Sequence, residues 1–415
     1  MLANLLKNFY KKINYNSVHN PENIRMPIDE QKKYLQKFAE PKDNYERSFF
    51  KFKCFCTYCY YKKKWIILLY NIGAALIYPI IFKILKTRGK KMGEKSIESF
   101  DAVIENVPNL RNDDIIPEEL MSSLKKIKEI KSIDYKNACL SKNAIEICKN
   151  LEKRYFWYFY FRLISMIKIA QFDEYIMKYN PKKIIFYSCE REFSGPLQTL
   201  LCEANNIEYI SFMHGDYLYS ISFAFQQYTK YYTWDLAYNK MFKNLKCKSH
   251  FIVYLPKKLT GIAENIDKHE CEYFATYYLS DETRESVEKI YQILNLFEKM
   301  GLRCKVRPHP RFSDINMLKN VFKNILIEDV IECSLQMSIT NSLYIIGLNS
   351  TVLSEAFFSN KDIVIDDISM PDKYNELKEK EYIMLERPHM VFSDLIDKLK
   401  NNIVEYDNSY KFYHN

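Results

Sequence analysis

Apolar residues change their spacing along this chain, and each change marks an element. Lys183–Ser188 is a continuous apolar run with turn residues on both sides, the pattern of a strand buried on both faces of a parallel sheet. The spacing predicts a helix over Pro196–Ala204 and a second strand over Glu208–Met213, which together make one βαβ unit. Upstream, Phe100–Glu105 reads as a short strand, and Pro117–Ile130 and Asn143–Tyr179 read as helical, the second broken into pieces. A further series puts strands at Phe251–Leu255, Tyr273–Tyr278, Cys304–Arg307, Ser342–Gly347 and Asp362–Asp366. Between and after them the pattern predicts an amphipathic helix over Asp281–Met300 capped by Ser280, and helices near Asn316–Asn324, Thr351–Ser359 and Phe392–Asn401. Such alternation predicts an α/β fold of two Rossmann-like, doubly wound domains. The expected division is a basic leader over residues 1–60 with a helix around Asp29–Ala39, a first domain over 61–248, a second over 249–390, and a terminal helix and tail over 391–415, with a late helix crossing back to the first domain.

One segment breaks the rhythm. Trp65–Leu85 is the most apolar stretch, long enough to span a bilayer but interrupted by Asn71, Gly73, Pro79 and Lys83. Three readings stay open: a span, a strand followed by an apolar helix, or a segment lying on the membrane with its flanking lysines on lipid phosphates.

Composition narrows the class. A hydrophobic fraction of 47% and a charged fraction of 27% suit folded domains, and 415 residues suit two of them. Only 8 glycines are present, and neither G-x-G-x-x-G nor G-x-x-x-x-G-K-[ST] occurs. The net charge of +9 concentrates early, at Lys51, Lys53, Lys62 to Lys64, Lys83, Lys86, Arg88, Lys90 and Lys91. That suits an anionic membrane surface, an anionic glycan or nucleic acid about equally well, and no nucleic-acid partner is assigned. The 11 scattered cysteines, with no cleavable signal over Met1–Tyr10, point to reduced thiols in a cytoplasm, and Trp65–Leu85 with its lysines to a peripheral place at the inner face of the cell membrane. Cys54, Cys56 and Cys59 lack a partner pair at zinc-ribbon spacing, so no metal site is expected there.

Ligands of doubly wound sheets bind beyond the carboxyl ends of the strands. Four such ends carry chemistry. Glu190 and Glu192 flank Arg191 after the first long strand, and either carboxylate suits a general base. His214, Gly215 and Asp216 follow the next strand, two titratable groups beside a glycine turn. Arg307, Pro308, His309, Pro310 and Arg311 form a loop in which two prolines fix the backbone around an imidazole and two guanidiniums match phosphate oxygens. Asn349, Ser350, Thr351 and Glu355 lie at the start of a helix whose free N–H groups suit an anion.

The order of these motifs resembles bacterial GT-B transferases of surface polymers: the sialyltransferases and polysialyltransferases, the capsule-linker Kdo transferases, and the polyol-phosphate transferases of teichoic acid. The resemblance covers roughly residues 180–370. It implies that His309 with Pro310, and Ser350 with Thr351, bind the donor's nucleotide from the second domain, with His214 and Gly215 matching the His-Gly of the polyol-phosphate and capsule proteins. The acidic base motif of the sialyltransferases is not intact; Glu190, Glu192 and then Asp216 are its nearest candidates. The resemblance further implies an inverting, cofactor-free and metal-independent glycosyltransferase, and no Asp-x-Asp motif is present to hold a metal clamp. It would use a CMP-type donor of sialic acid or a related acidic sugar and a capsule, lipooligosaccharide or O-antigen acceptor. The alternatives are a CDP-polyol phosphotransferase and a non-catalytic capsule-assembly protein of the same fold.

Overall fold

Strands rich in Ile, Phe and Tyr build two separate all-parallel sheets. The computed structural model describes residues 26–61, 64–93, 98–106, 111–131, 137–187, 193–260 and 271–400. The first sheet contains β1 (Phe100–Asn106), β2 (Ile127–Lys131), β3 (Pro181–Tyr187), β4 (Glu208–Phe212), β5 (Gln227–Thr233) and β6 (Lys248–Val253), in the order β2-β1-β3-β4-β5-β6. The second contains β7 (Tyr273–Tyr278), β8 (Cys304–Arg307), β9 (Leu326–Ile327), β10 (Ser342–Gly347), β11 (Asp362–Ile365) and β12 (Met390–Val391), in the order β12-β11-β10-β7-β8-β9. Both sheets have the expected fold class. Central strands such as β7 are buried along their whole length, as parallel strands with covered faces must be.

Two units result. The first holds the described residues up to His214 together with Tyr219–Tyr254; the second holds Gly215–Leu218 and the described residues from Leu255 onward. The strand expected to open the second series is thus β6, which pairs with β5 and closes the first sheet. Pro117–Ile130, expected to be helical, yields only the short helix Glu118–Ser122 before turning into edge strand β2, whose Lys128 suits an unpaired edge. β5 was invisible as an apolar run because its buried positions are Tyr228, Tyr231 and Thr233, aromatic and β-branched residues that favour a pleated surface. The helix Arg284–Lys299 starts later than its pattern suggests, with Thr283 rather than Ser280 as its cap.

The expected leader is not one from residue 26 onward. The helices Ile28–Gln36 and Asn44–Cys59 belong to the first unit, and the second carries basic residues buried inside it. Arg47 is 2% exposed and donates to the Lys246 carbonyl at 2.6 Å and to Glu40. Lys51 is fully buried and donates to the carbonyls of Ser222 and Ala224. Lys51, counted in the early basic cluster, is thus an internal strut beside Arg47, because a buried cation needs hydrogen-bonding partners. Cys54 and Cys56 are buried on the same helix, and burial pushes the Cys54 thiol up to about 12. Among the described residues no group of three or more His, Cys, Asp or Glu is placed to hold a metal.

Trp65–Gly93 is one continuous helix with Pro79 inside it, so the strand-plus-helix reading is replaced. Its inner face, Ala74, Tyr78, Ile81, Leu85 and Gly89, is buried, and the helix packs against Phe159–Tyr179, which is buried almost end to end. The terminal helix Phe392–Lys400 does not cross back: Phe392, Leu395 and Leu399 pack with Phe274, Val306 and Phe297 in the core of the second unit.

Two glycines of one helix give opposite expectations. A Cβ on Gly89 would stand 1.9 Å from the Leu140 carbonyl oxygen, while a Cβ on Gly73 would meet nothing within 4 Å. Gly→Ala normally favours a helix by about 1 kcal/mol. Gly73→Ala should therefore raise the urea midpoint, whereas Gly89→Ala should lower stability by about 1–3 kcal/mol through overpacking. Equal effects from the two would contradict this packing.

Candidate functional site

Counted within its own unit, the second sheet runs six-five-four-one-two-three, and the strand order reverses between β7 and β10. Ligands of doubly wound sheets bind at that reversal, outside the carboxyl ends of the strands. The loops that leave β7, β8 and β10 are therefore the place to look. At the tip of the reversal Gly347 lies so close to β7 that a Cβ would meet the Tyr278 carbonyl at 3.3 Å.

The loop after β8 is anchored from below. Lys305 and Arg307, both buried, each reach a different oxygen of Glu328 at 2.5 Å, and Arg307 Nη2 also donates to the Cys333 carbonyl at 3.1 Å. Burial works against the Glu328 charge, but hydrogen bonds from Lys305, Ser338 and Arg307 win and hold its carboxyl below the usual range. Arg307 thus points into a structural ion-pair network, and its planar fork is occupied there.

Above it, His309 is held in one orientation. Its backbone N–H donates to Ser313 Oγ at 2.8 Å, and its Nδ1 accepts from the Arg311 backbone N–H at 3.0 Å. An Nδ1 that accepts leaves the proton of the neutral ring on Nε2. The ring stacks on Phe312 with centroids 4.5 Å apart. Burial, then the charge of Arg311, lowers the imidazole pKa against the opposing pull of Asp281. Arg311 and Pro310 are exposed.

After β10, Ser350 caps the helix Thr351–Phe358, its hydroxyl accepting from the Val352 N–H at 3.3 Å. Asn349, Ser350 and Thr351 are partly exposed, and Glu355 is buried in the same helix. The buried Ser354 donates to Asp216 Oδ2 at 2.8 Å, while Asp216 Oδ1 accepts from the Tyr217 N–H. Burial, and then the charge of Asp216, raises the Tyr382 hydroxyl far above its usual pKa. Leu218 packs against the apolar cluster that contains Leu353 and Ala356. Gly215 and Asp216 therefore belong with the second unit, whereas His214 stays with the first, so the three expected as one first-domain loop are divided. Glu190 and Glu192 lie outside the described residues.

Two acidic groups at the reversal were missed in the sequence. Asp281 pairs with Lys373, which overcomes burial and lowers its pKa. Glu282 accepts from the Ser280 N–H at 2.6 Å through one oxygen, and its Oε1 is buried with no hydrogen-bond partner in the described structure. Burial raises the Glu282 pKa. The signal for both was topological: only the strand order singles out the β7 loop.

No family model matches this chain, and no curated protein matches it. Solved structures similar to it include the wall teichoic acid polymerase TagF, at 10% identity and TM-score 0.42 over 83% of this chain and 90% of that one. CalG4, the calicheamicin glycosyltransferase, is similar at 10% identity and TM-score 0.43 over 76% of this chain and 92% of that one. A UDP-N-acetylglucosamine 2-epimerase from Rickettsia bellii is similar at 11% identity and TM-score 0.39 over 65% and 79%. Likeness at this level says nothing about chemistry, which rests on the residues above.

The imidazole gives a direct check. In an NMR titration His309 should change charge below the ordinary histidine value. Arg311→Gln should raise its midpoint and Asp281→Asn lower it; shifts in the opposite sense would refute the arrangement.

Proposed function

We propose that this protein is a nucleotide-sugar-dependent glycosyltransferase of GT-B type whose second unit holds the donor's nucleotide phosphate. The observation that carries the proposal is the fixed, neutral His309 beside the strand-order reversal, with its one ring proton on Nε2. Such a proton is placed to meet an oxygen of the leaving phosphate as charge develops on it. The N-terminus of the helix Thr351–Phe358 adds backbone N–H groups and the Thr351 hydroxyl. Arg311 supplies positive charge from the loop rim, and Arg307 serves by holding the loop's base. Glu282, with its unpartnered oxygen, is the group for a hydroxyl of the donor.

In the favoured reading the donor is of CMP type and carries an acidic sugar. An acceptor hydroxyl of a surface glycan attacks the anomeric carbon, the bond from that carbon to the phosphate oxygen breaks, and the nucleotide leaves with the electron pair. Glu190 or Glu192 takes the acceptor's proton. Asp216 becomes a positioning residue for the helix that Ser350 caps. A second reading, a CDP-polyol phosphotransferase, draws on the same fact. With Asp216 engaged by Ser354, His214 is the titratable group of that loop left in the first unit.

A panel of nucleotide donors separates the readings. CMP release from a CMP-linked acidic sugar supports the first, and turnover of CDP-glycerol or CDP-ribitol supports the second. No turnover with any donor would leave a non-catalytic assembly protein. With whichever donor is used, His309→Ala should cut turnover by about 10²–10⁴-fold. Its melting temperature should hold, because the side chain stands on a partly exposed loop. An unchanged kcat would remove His309 from the mechanism.

A further inference from the structure

The helix Trp65–Gly93 leaves one face uncovered. Trp65, Leu68, Leu69, Ile72, Leu76 and Ile80 recur at helical spacing and are all exposed, Leu76 by 72%. At about 1.5 Å per residue this stripe is about 22 Å long. A second apolar group adjoins it. Asn71 on the helix donates to the Trp157 carbonyl at 2.8 Å and accepts from the Tyr160 N–H at 3.0 Å, which pins the turn carrying Phe156 and Trp157 beside the stripe. Trp157 is 75% exposed. The asparagine that interrupts the apolar run in the sequence is thus the clamp that widens the apolar surface.

The same face changes character along its length. Lys83 lies about five turns beyond Trp65 and so at the same angle around the helix, and Lys86 and Lys90 continue the line, all exposed. Apolar residues followed by cations on one face match the acyl boundary and phosphate layer of an anionic bilayer. By length and composition this helix could also cross a membrane. Its other face argues against that. Tyr78 lies under the Arg162 guanidinium at 4.4 Å, on a partner helix that also buries Lys168, Asp173 and Glu174. A span would strip Tyr78 from that helix or draw those charges toward hydrocarbon.

We propose that this face is a membrane-docking surface, on which the helix lies in the plane of an anionic bilayer with its stripe and the Phe156–Trp157 turn inserted. The inference is independent of the transferase reading, and its test involves no turnover. The full chain is floated with vesicles of phosphatidylcholine plus phosphatidylglycerol, and with vesicles of phosphatidylcholine alone. Tryptophan emission serves as a built-in probe, since Trp65 and Trp157 are exposed on this face and Trp234 is buried. Flotation with the anionic vesicles and a blue shift are expected. Leu68→Glu with Leu76→Glu should weaken binding by about tenfold or more, and Lys83→Glu with Lys86→Glu and Lys90→Glu should do so on anionic vesicles. Circular dichroism and melting of both variants should match the parent, because every altered residue is exposed. Three results would overturn the proposal: no flotation of the parent with either vesicle, a leucine variant that floats as well as the parent, or a lipid-indifferent dimer that the leucine variant dissociates. Resistance of the native protein in cell membranes to both high salt and alkaline carbonate would mean a true span and overturn it as well.

Discussion

An all-parallel sheet has to be covered on both faces, and most of this architecture is a consequence of that constraint. The first sheet recruits Phe159–Tyr179, a helix buried so fully that four charged residues go inside with it. That helix in turn needs cover, which Trp65–Gly93 provides with one face only. Asn44–Cys59 packs against Gly195–Ala204, its arginine and lysine tied to backbone carbonyls. Each layer fixes the next, and among the described residues the outermost layer is left with an exposed apolar face.

The site rests on a different kind of dependence. The His309 ring is held in place, and what anchors its loop lies lower in the sheet. Glu328 gathers Lys305 and Arg307 in a buried network at the end of β8, and a network of this kind loses much if any member is removed. The loop above then needs only two hydrogen bonds and a stacking contact to set the imidazole. A residue type suited to phosphate, Arg307, is thereby given to structure, and one suited to a structural turn, Asp216, is joined to the helix that Ser350 caps.

Strands with continuous apolar runs, such as β3, β7 and β10, were legible because burial on both faces writes itself into consecutive residues. β5 and the two-residue strands β9 and β12 were not, since tyrosine-rich or very short pairings leave no such run. The loops after β8 and β10 stood out in the sequence because proline and helix-capping residues punctuate the chain locally. Glu282 did not, because its place at the strand-order reversal comes from sheet order, and order depends on pairing between residues distant in sequence. Charge misled most: a lysine reads the same on a surface as in a pocket of carbonyls, and Lys51 is in the pocket.

The placement of Gly215–Leu218 bears on how this chain can be handled and how it folds. The polypeptide leaves the first unit after His214, returns at Tyr219, and leaves again after Tyr254. A fragment beginning at Leu255 would carry all six strands of the second sheet yet lack the aspartate that Ser354 binds and a leucine that packs against its core. Neither half is a contiguous module, so dissection by simple truncation gives an incomplete second half. During synthesis four residues must wait for more than a hundred others to emerge before their partners exist, a long-range closure of the kind that slows folding.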